Sequence, residues 1–389
     1  MRIGIYVNTL PTTSFVNRLI GNLVAANHHV LVFGTQVTKH NEQHGAKYFV
    51  FKLFSFLNYS KFFFFTKYVL LLSLFKPRQK RQLDALLLAE GAYTKHNQTR
   101  FYPILWHRPE VLHVQWVMGI AQFLWVQEFG IKLIASLRGT NIYVNPLTDK
   151  GVEEDYQNAF PRLQGVHAVC QDIAQVAAIY GLEESRVQVI YSGIDIPMFP
   201  FVLPSQKEPR NTLQLLSVGR QSWVKGFQYA LDALAQLKSE NIPFHYTVVG
   251  GAASEELLFQ VHQLELTEEV TFTAALPFTE VQRKMQEVDM LIVPSVSEGI
   301  ANVAIEAMAL GTAVVVSDCG GMSELVADGV TGYLVPVRQP AAIVAALQRW
   351  SQLPPHQKDA LALAARDKVI THFNSTLSTQ KFTELYQRS

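Results

Sequence analysis

Two glutamates, Glu298 and Glu306, stand in the run Pro294-Ser-Val-Ser-Glu298-Gly299-Ile300-Ala301-Asn302-Val303-Ala-Ile-Glu306-Ala-Met-Ala-Leu-Gly311. The apolar stretch Met290–Val293 before them reads as a strand, the Gly299 stretch as a loop, and Asn302–Leu310 as a helix. Unpaired N–H groups at a helix start attract anions. The helical spacing between the two carboxylates is ~12 Å, wider than the ~5–9.5 Å of a pair that hydrolyses a glycosidic bond. They are therefore read as clamps on opposite ends of one elongated ligand. A nucleotide sugar has that shape, with hydroxyls at both ends and phosphates between. The plainer alternative is a solvated Glu298 and a Glu306 that only complements the helix dipole.

A second constellation, Ser217-Val-Gly219-Arg220-Gln-Ser-Trp-Val-Lys225-Gly226, follows the strand pattern Leu213–Val218. Arg220 and Lys225 on one loop could both reach a diphosphate and offset the charge that grows as a nucleoside diphosphate departs. The alternative is a solvated basic loop. Gly250, after Val248-Val249, is a further place for backbone to approach a nucleotide. No Asp-x-Asp occurs, and no His/Cys/Asp/Glu cluster has zinc spacing. The expectation is therefore no metal and no other cofactor, with cations and a helix start in the metal's place. Gly-x-Gly-x-x-Gly is absent after every candidate strand, which argues against NAD or FAD.

Glu298-x7-Glu306, Gly311, Gly320-Gly321, Glu324 and Gly329-x-Thr331-Gly332 together resemble the donor site of the GT-B glycosyltransferases of family 4, of exopolysaccharide and lipopolysaccharide type. The resemblance implies that Glu298 meets the donor sugar and Glu306 the ribose, while backbone N–H groups from Ile300 through Ala301 and Asn302 to Val303 meet sugar or phosphate. It implies a diphosphate role for Gly219, Arg220 and Lys225, and places Leu276 of Ala275-Leu276-Pro277 in the base-contact loop. Glu298, Arg220 and Lys225 would be the catalytic residues, with retention of anomeric configuration and no protein nucleophile.

Toward the N-terminus the similarity is looser. Ser192-Gly193-Ile194-Asp195 resembles the family's Asn-Gly-Val-Asp turn. Pro11-Thr12-Thr13-Ser14-Phe15 resembles its Ser-Glu-Thr-Phe helix entry without the glutamate. In Ser136-Leu137-Arg138-Gly139-Thr140, Arg138 stands where many members carry histidine. Ser14 and Arg138 are thus candidate contacts to an acceptor or phosphate; the alternative for Arg138 is pairing with a surface carboxylate.

These residues need a scaffold. Short β-branched runs alternate with helical patterns throughout, as in parallel α/β sheets. The candidate strands are Arg2–Val7, Val30–Phe33, Leu112–Gln115, Leu133–Leu137, Val166–Val169 and Val187–Ile190, then Leu213–Val218, Phe244–Val249, Val270–Thr273, Met290–Val293, Ala313–Val316 and Gly332–Val335. A polar, proline-bearing stretch separates the two sets. With 389 residues, 49% of them hydrophobic, the chain exceeds the ~250–300 at which one core stops growing. The expected architecture is GT-B: two Rossmann-like domains facing across a cleft. Residues 1–199 would bind the acceptor, 200–212 link, 213–370 bind the nucleotide sugar, and 371–389 form a helix packing back on the first domain. Net charge of +1 gives no case for nucleic-acid binding. The lone cysteines Cys170 and Cys319 fit a cytoplasmic protein, and Met1–Val7 reads as a buried strand rather than a leader.

The reaction implied is transfer of a sugar from a nucleotide-sugar donor to a glycan or lipid-linked acceptor. A nucleotide-sugar 2-epimerase of the same fold and a non-catalytic nucleotide-binding protein are the alternatives; a phosphorylase of this fold is usually much longer. One biased segment bears on the acceptor. Residues 49–81 interleave Phe and Leu with lysines and end in Lys76-Pro-Arg78-Gln-Lys80-Arg81. That composition suits a segment lying in an anionic bilayer interface, at the inner face of the plasma membrane. The alternative is core helices with lysines at their solvent edge. The apolar run Tyr68–Phe75 is shorter than the ~20 residues of a membrane span.

Overall fold

The computed structural model describes residues 1–10, 12–36, 45–52, 59–251 and 253–388, and side chains outside 51–61. Its contacts divide the chain into two units. The first holds Met1–Val169, Ala174–Ile190 and the stretch from Ser378; the second holds Cys170–Ile173 and Tyr191–Leu377. Residues 200–212 run along the second unit, where Val202 N–H donates to Leu310 O and Lys207 Nζ to Val288 O.

The first unit is a parallel sheet of β1 (Arg2–Leu10), β2 (His29–Gln36), β3 (Lys47–Lys52), β4 (Val111–Val114), β5 (Lys132–Leu137), β6 (Gly165–Ala168) and β7 (Val187–Val189), in the order β3-β2-β1-β4-β5-β6-β7. The second contains β8 (Leu213–Val218), β9 (Phe244–Val249), β10 (Val270–Thr273), β11 (Met290–Val293), β12 (Ala313–Ser317) and β13 (Tyr333–Val335), in the order β10-β9-β8-β11-β12-β13. The near-continuous apolar strands follow from burial on both sheet faces: apolar clusters around Leu231 and Trp350 and around Ile305 and Met322 cover the second sheet. In the first, the helix Ser14–Ala25 buries Val16, Leu19, Ile20 and Leu23, the i, i+3, i+4, i+7 spacing of an amphipathic helix.

The segment 49–81 divides. Residues 53–58 and the side chains of 51–61 lie outside the described residues. Lys47–Lys52 is an edge strand paired with β2 from Leu31↔Lys47 to Gln36↔Lys52, so residues 49–52 belong to the sheet rather than to an interfacial segment. The helix Tyr59–Phe75 buries Tyr68 and Leu72 while Phe62, Phe63, Leu70, Leu74 and Phe75 stay 55–71% exposed. The basic run after it also divides. Lys76 Nζ donates to Trp106 O, and Lys80 pairs with Asp84 at 2.7 Å; Arg78 and Arg81 are exposed.

A buried polar chain runs through the first unit. His167 Nε2 lies 2.9 Å from Ile190 O. A carbonyl only accepts, so that nitrogen carries the proton and Nδ1 accepts from the Ser136 hydroxyl at 2.8 Å. Ser136 Oγ then accepts from His113 Nε2–H at 2.7 Å, leaving His113 Nδ1 to accept from Tyr386 O–H at 2.7 Å. One proton arrangement satisfies every link, and both rings are neutral in it. Burial is the main cause: it holds His113 well below its usual pKa and His167 at about 3, helped for His113 by the charges of His167 and Arg138, and for His167 by Arg138.

Because both folded values lie below the unfolded 6.5, stability from this chain is full above about pH 6.5. It is lost as pH falls, by about 1.4 kcal/mol per pH unit for each histidine. Denaturant unfolding at pH 7, 6 and 5 should show this decline, and Tyr386→Phe should cost a further ~1–3 kcal/mol at pH 7 by leaving His113 Nδ1 unpaired. Unchanged stability from pH 7 to 5 would mean that the histidines titrate as exposed groups.

Candidate functional site

In each sheet the strand order reverses beside the first strand, between β1 and β4 and between β8 and β11. Helices leave such neighbours toward opposite faces, and the gap beyond their carboxyl ends is where open α/β sheets bind ligands. In the second unit both glutamate and basic motifs open into this gap. Ser217, fully buried at the end of β8, fixes the start of the first loop: its hydroxyl donates to Ile292 O on β11 and accepts from Tyr246 on β9 at 2.7 Å.

The two loops then lock together. Val296 N–H donates to Val224 O at 2.8 Å. Gly226 has φ +66°, and a Cβ there would lie 2.0 Å from Pro294 O, so backbone alone permits the approach. Lys225 Nζ pairs with Glu298 Oε1, which also accepts from Ser295 Oγ at 3.3 Å. Both contacts fall on one carboxylate oxygen, and Oε2 has no partner among the described residues. Arg220 is exposed, with no hydrogen bond or ion pair among the described residues. Gly219 N–H donates to Val249 O at 2.8 Å, and a Cβ on Gly250 would lie 2.0 Å from Gly219 O. Gly250 thus lets the β9 loop pass under the β8 loop.

Gly299 is buried and its carbonyl accepts from Gly321 N–H at 2.7 Å. The helix Asn302–Leu310 begins after Ala301, which offers no side-chain cap, and its first turn carries no acid. Ala301 N–H meets only the Met322 sulfur, at 3.3 Å, a weak acceptor. The N–H groups of Asn302 and Val303 have no acceptor among the described residues, so the helix start is open to an anion. Asn302 Oδ1 and Ser297 Oγ are buried without partners. Ile300, Val303 and Leu276 are half-buried against the apolar cluster beneath. Glu306, one face further along the helix, is 7% exposed.

Sequence reasoning gave no role to Ser295 or Tyr191, and counted Glu324 in the pattern that resembles a donor site. Ser295 orients Glu298. Glu324 accepts the N–H groups of Gln171 and Asp172 at 2.9–3.2 Å and the Tyr191 hydroxyl at 2.8 Å. It therefore holds structure rather than facing a ligand. Ser295 lay inside the quoted motif; nothing in the sequence marked Tyr191. Cys319 Sγ lies 3.4 Å from Ser295 O, and burial, then the Glu298 charge, pushes its thiol up to about 12, so it stays protonated. Among the described residues no group of three or more His, Cys, Asp or Glu is placed to hold a metal ion.

In the first unit Ser14 opens the helix Ser14–Ala25 and is exposed. Arg138, just beyond β5, pairs with no carboxylate among the described residues. Its guanidinium donates to Gln115 O at 3.3 Å and Gln115 Oε1 at 3.2 Å and lies 4.2 Å above the Phe15 ring. Phe15 thereby brings Arg138 to the helix start that carries Ser14. Pro11 of the same motif lies outside the described residues. His107 is a packing residue, stacked on Phe49 at 3.7 Å and bonded to Tyr68 at 3.0 Å.

Comparison with known proteins gives the family. The model for glycosyltransferase family 4 matches residues 12–196, and that for glycosyl transferases group 1 matches residues 200–367. A colanic acid biosynthesis glycosyltransferase of Salmonella typhimurium, WcaL, is 30% identical over 53% of this chain and 52% of its own length. The amylovoran biosynthesis glycosyltransferase AmsK of Erwinia amylovora is 28% identical over 66% of this chain and 65% of its own. The chain thus spans about half to two thirds of these curated relatives. A crystal structure of Anabaena Alr3699/HepE with UDP and glucose superposes with a TM-score of 0.69 over 99% of this chain and 98% of that one, at 19% identity. That likeness establishes the two-unit GT-B fold. With its two halves matched in order by the two models, the chain belongs to the family 4 glycosyltransferases of GT-B fold.

Proposed function

We propose that the protein transfers a sugar from a nucleoside-diphosphate sugar to a glycan or lipid-linked acceptor, without a metal and with retention of configuration. The observation that carries this reading is the open start of the helix Asn302–Leu310 beside the Lys225–Glu298 pair and the unpartnered Arg220. Asn302 and Val303 N–H groups and the positive end of the helix dipole suit a diphosphate. Arg220 and Lys225 offset the charge that develops as it leaves. Glu298 Oε2 suits a sugar hydroxyl and Glu306 the ribose. No side chain is assigned as nucleophile, so the departing diphosphate takes the acceptor proton on the same face, and the protein contributes orientation. The Anabaena neighbour was solved with UDP and glucose, which makes UDP-glucose the first donor to test. The names of WcaL and AmsK place polysaccharide building blocks among the acceptors to try. A 2-epimerase would turn over the nucleotide sugar without any acceptor.

A membrane contact is supported by the exposed stripe on the helix Tyr59–Phe75. Phe62, Phe63, Leu70 and Leu74 lie on one side of it, with Lys67 on the flank and Arg78 and Arg81 beyond. An apolar patch rimmed by cations suits an anionic bilayer surface. Among the described residues no helix is long and apolar enough to cross a membrane.

Two measurements test these readings. In a transfer assay, Arg220→Ala or Lys225→Ala should lower turnover by ~10²–10³, and wild-type activity should survive EDTA. Near-normal turnover in the double variant removes the diphosphate role, and EDTA loss restored by Mn²⁺ reveals a metal site. In liposome flotation, the wild type should float with anionic vesicles and be released by high salt. Changing Phe62, Phe63, Leu74, Arg78 and Arg81 to Ser should abolish flotation at unchanged melting temperature. A wild type that stays in solution at low salt has no such contact.

A further inference from the structure

The switch point of the first sheet collects hydrogen-bond donors without matching acceptors. Gln115, at the end of β4, is fully buried. Its Oε1 and carbonyl take two N–H groups of Arg138, while its Nε2 has no partner. No carboxylate pairs with Arg138 among the described residues. Burial lowers its pKa to about 9, which leaves it charged at neutral pH. The Phe15 ring under the guanidinium connects it to the start of the helix Ser14–Ala25. There Thr13 gives no side-chain cap and the first turn has no acid. Two N–H groups, of Ser14 and Phe15, are left without acceptors among the described residues. Thr12 Oγ1, just before this helix, and Asn17 Oδ1, in its first turn, are buried without partners among the described residues.

Each of these features alone is common. Together they are a half-buried cation without a carboxylate partner among the described residues, a buried amide donor without an acceptor, and a positive helix end without a cap. A partly buried charge and an unsatisfied buried donor are both costly, and one anion relieves all three. The unpartnered Asn17 carbonyl gives a nearby hydroxyl a place to donate. We propose that this switch point is a subsite for an anionic sugar, so that the acceptor carries a carboxylate or phosphate gripped by Arg138, Gln115 Nε2 and the start of the helix Ser14–Ala25. This rests on the glycosyltransferase reading only in calling the ligand an acceptor; the anion site stands on its own contacts. Arg138 here is a specificity-determining residue. A histidine at that position could not bring a permanent charge at neutral pH.

The test is ligand-observed NMR titration of the full chain with glucuronate, inorganic phosphate and glucose, in saturating UDP so that the helix start at Asn302 is already filled, beside a separate transfer assay. The wild type should bind both anions and not glucose. Arg138→Gln should weaken anion binding ~10–100-fold, the scale of a lost charge-assisted hydrogen bond, and Arg138→Lys should restore part of it. Gln115→Glu supplies Arg138 with a carboxylate in the same volume. It should abolish anion binding while keeping or raising the melting temperature, which covers the case that Arg138→Gln does not fold. Tighter glucuronate than phosphate identifies an acidic sugar as the source, and the reverse identifies a phosphate-bearing acceptor. Equal binding of glucose and glucuronate, or anion binding unchanged in both Arg138→Gln and Gln115→Glu, overturns the proposal. Anion binding as described without sugar transfer would fault the assigned reaction and leave the subsite in place.

Discussion

In the second sheet β8 and β11 are paired neighbours, Met290 opposite Leu215 and Leu291 opposite Leu216, yet the strands that follow each of them lie on opposite sides of the pair. Their loops therefore part just beyond the strand ends, and the rest of the proposed donor site depends on how that parting is controlled. It is held to a narrow gap by backbone, because Gly226 passes Pro294 O where no Cβ fits. It is also held by charge, because Lys225 on one loop meets Glu298 on the other. Ser217 ties three strands beneath it. On this footing the helix start at Asn302 can be left uncapped, since its position is fixed by the loop before it and not by its own cap.

The first unit repeats the topology with different chemistry. Where the second unit balances a lysine with a glutamate, the first leaves Arg138 balanced by a neutral amide. The structure around Arg138 is nonetheless rigid. The Tyr386–His113–Ser136–His167 chain runs along the same strand ends with every donor matched, and both histidines must remain neutral for it to do so. A charged arginine next to obligately neutral histidines is consistent with the direction in which it moves their pKa values.

Much of this was readable in sequence where one physical effect dominated. The strands Leu213–Val218, Phe244–Val249, Val270–Thr273 and Met290–Val293 coincide with the β-branched and apolar runs, and Met290–Val293, buried at every position, is apolar throughout because both of its faces are covered. The helix Asn302–Leu310 was bounded by Gly311, which takes φ +90° at its end. Where two effects overlapped, the reading failed. Lys47–Lys52 carries a short apolar run, Tyr48 to Phe51, between two lysines, and the apolar helix after it made the two read as one segment. Lys76 and Lys80 looked like a solvated basic run, but the carbonyl of Trp106, thirty residues on, engages Lys76, and Asp84, the i+4 neighbour on the same helix, engages Lys80. Pairing with a surface carboxylate was the plain alternative for Arg138, whereas among the described residues its hydrogen-bond partner is Gln115, just beyond β4. Partners supplied by tertiary structure, such as Tyr191 for Glu324, leave no periodic trace.

The central claim is that the open start of the helix Asn302–Leu310 receives the donor's diphosphate through backbone N–H groups. Proline suits the first position of a helix and deletes only its N–H, and the extended backbone of Ala301, at φ −75° and ψ 112°, accommodates a following proline. Calorimetric titration of UDP and UDP-glucose into Asn302→Pro and Asn302→Ala therefore isolates that one donor. The account predicts that Asn302→Pro binds ~10–100-fold more weakly than Asn302→Ala, the scale of a hydrogen bond to a charged group, with both melting alike. Equal affinities in the two variants would contradict it.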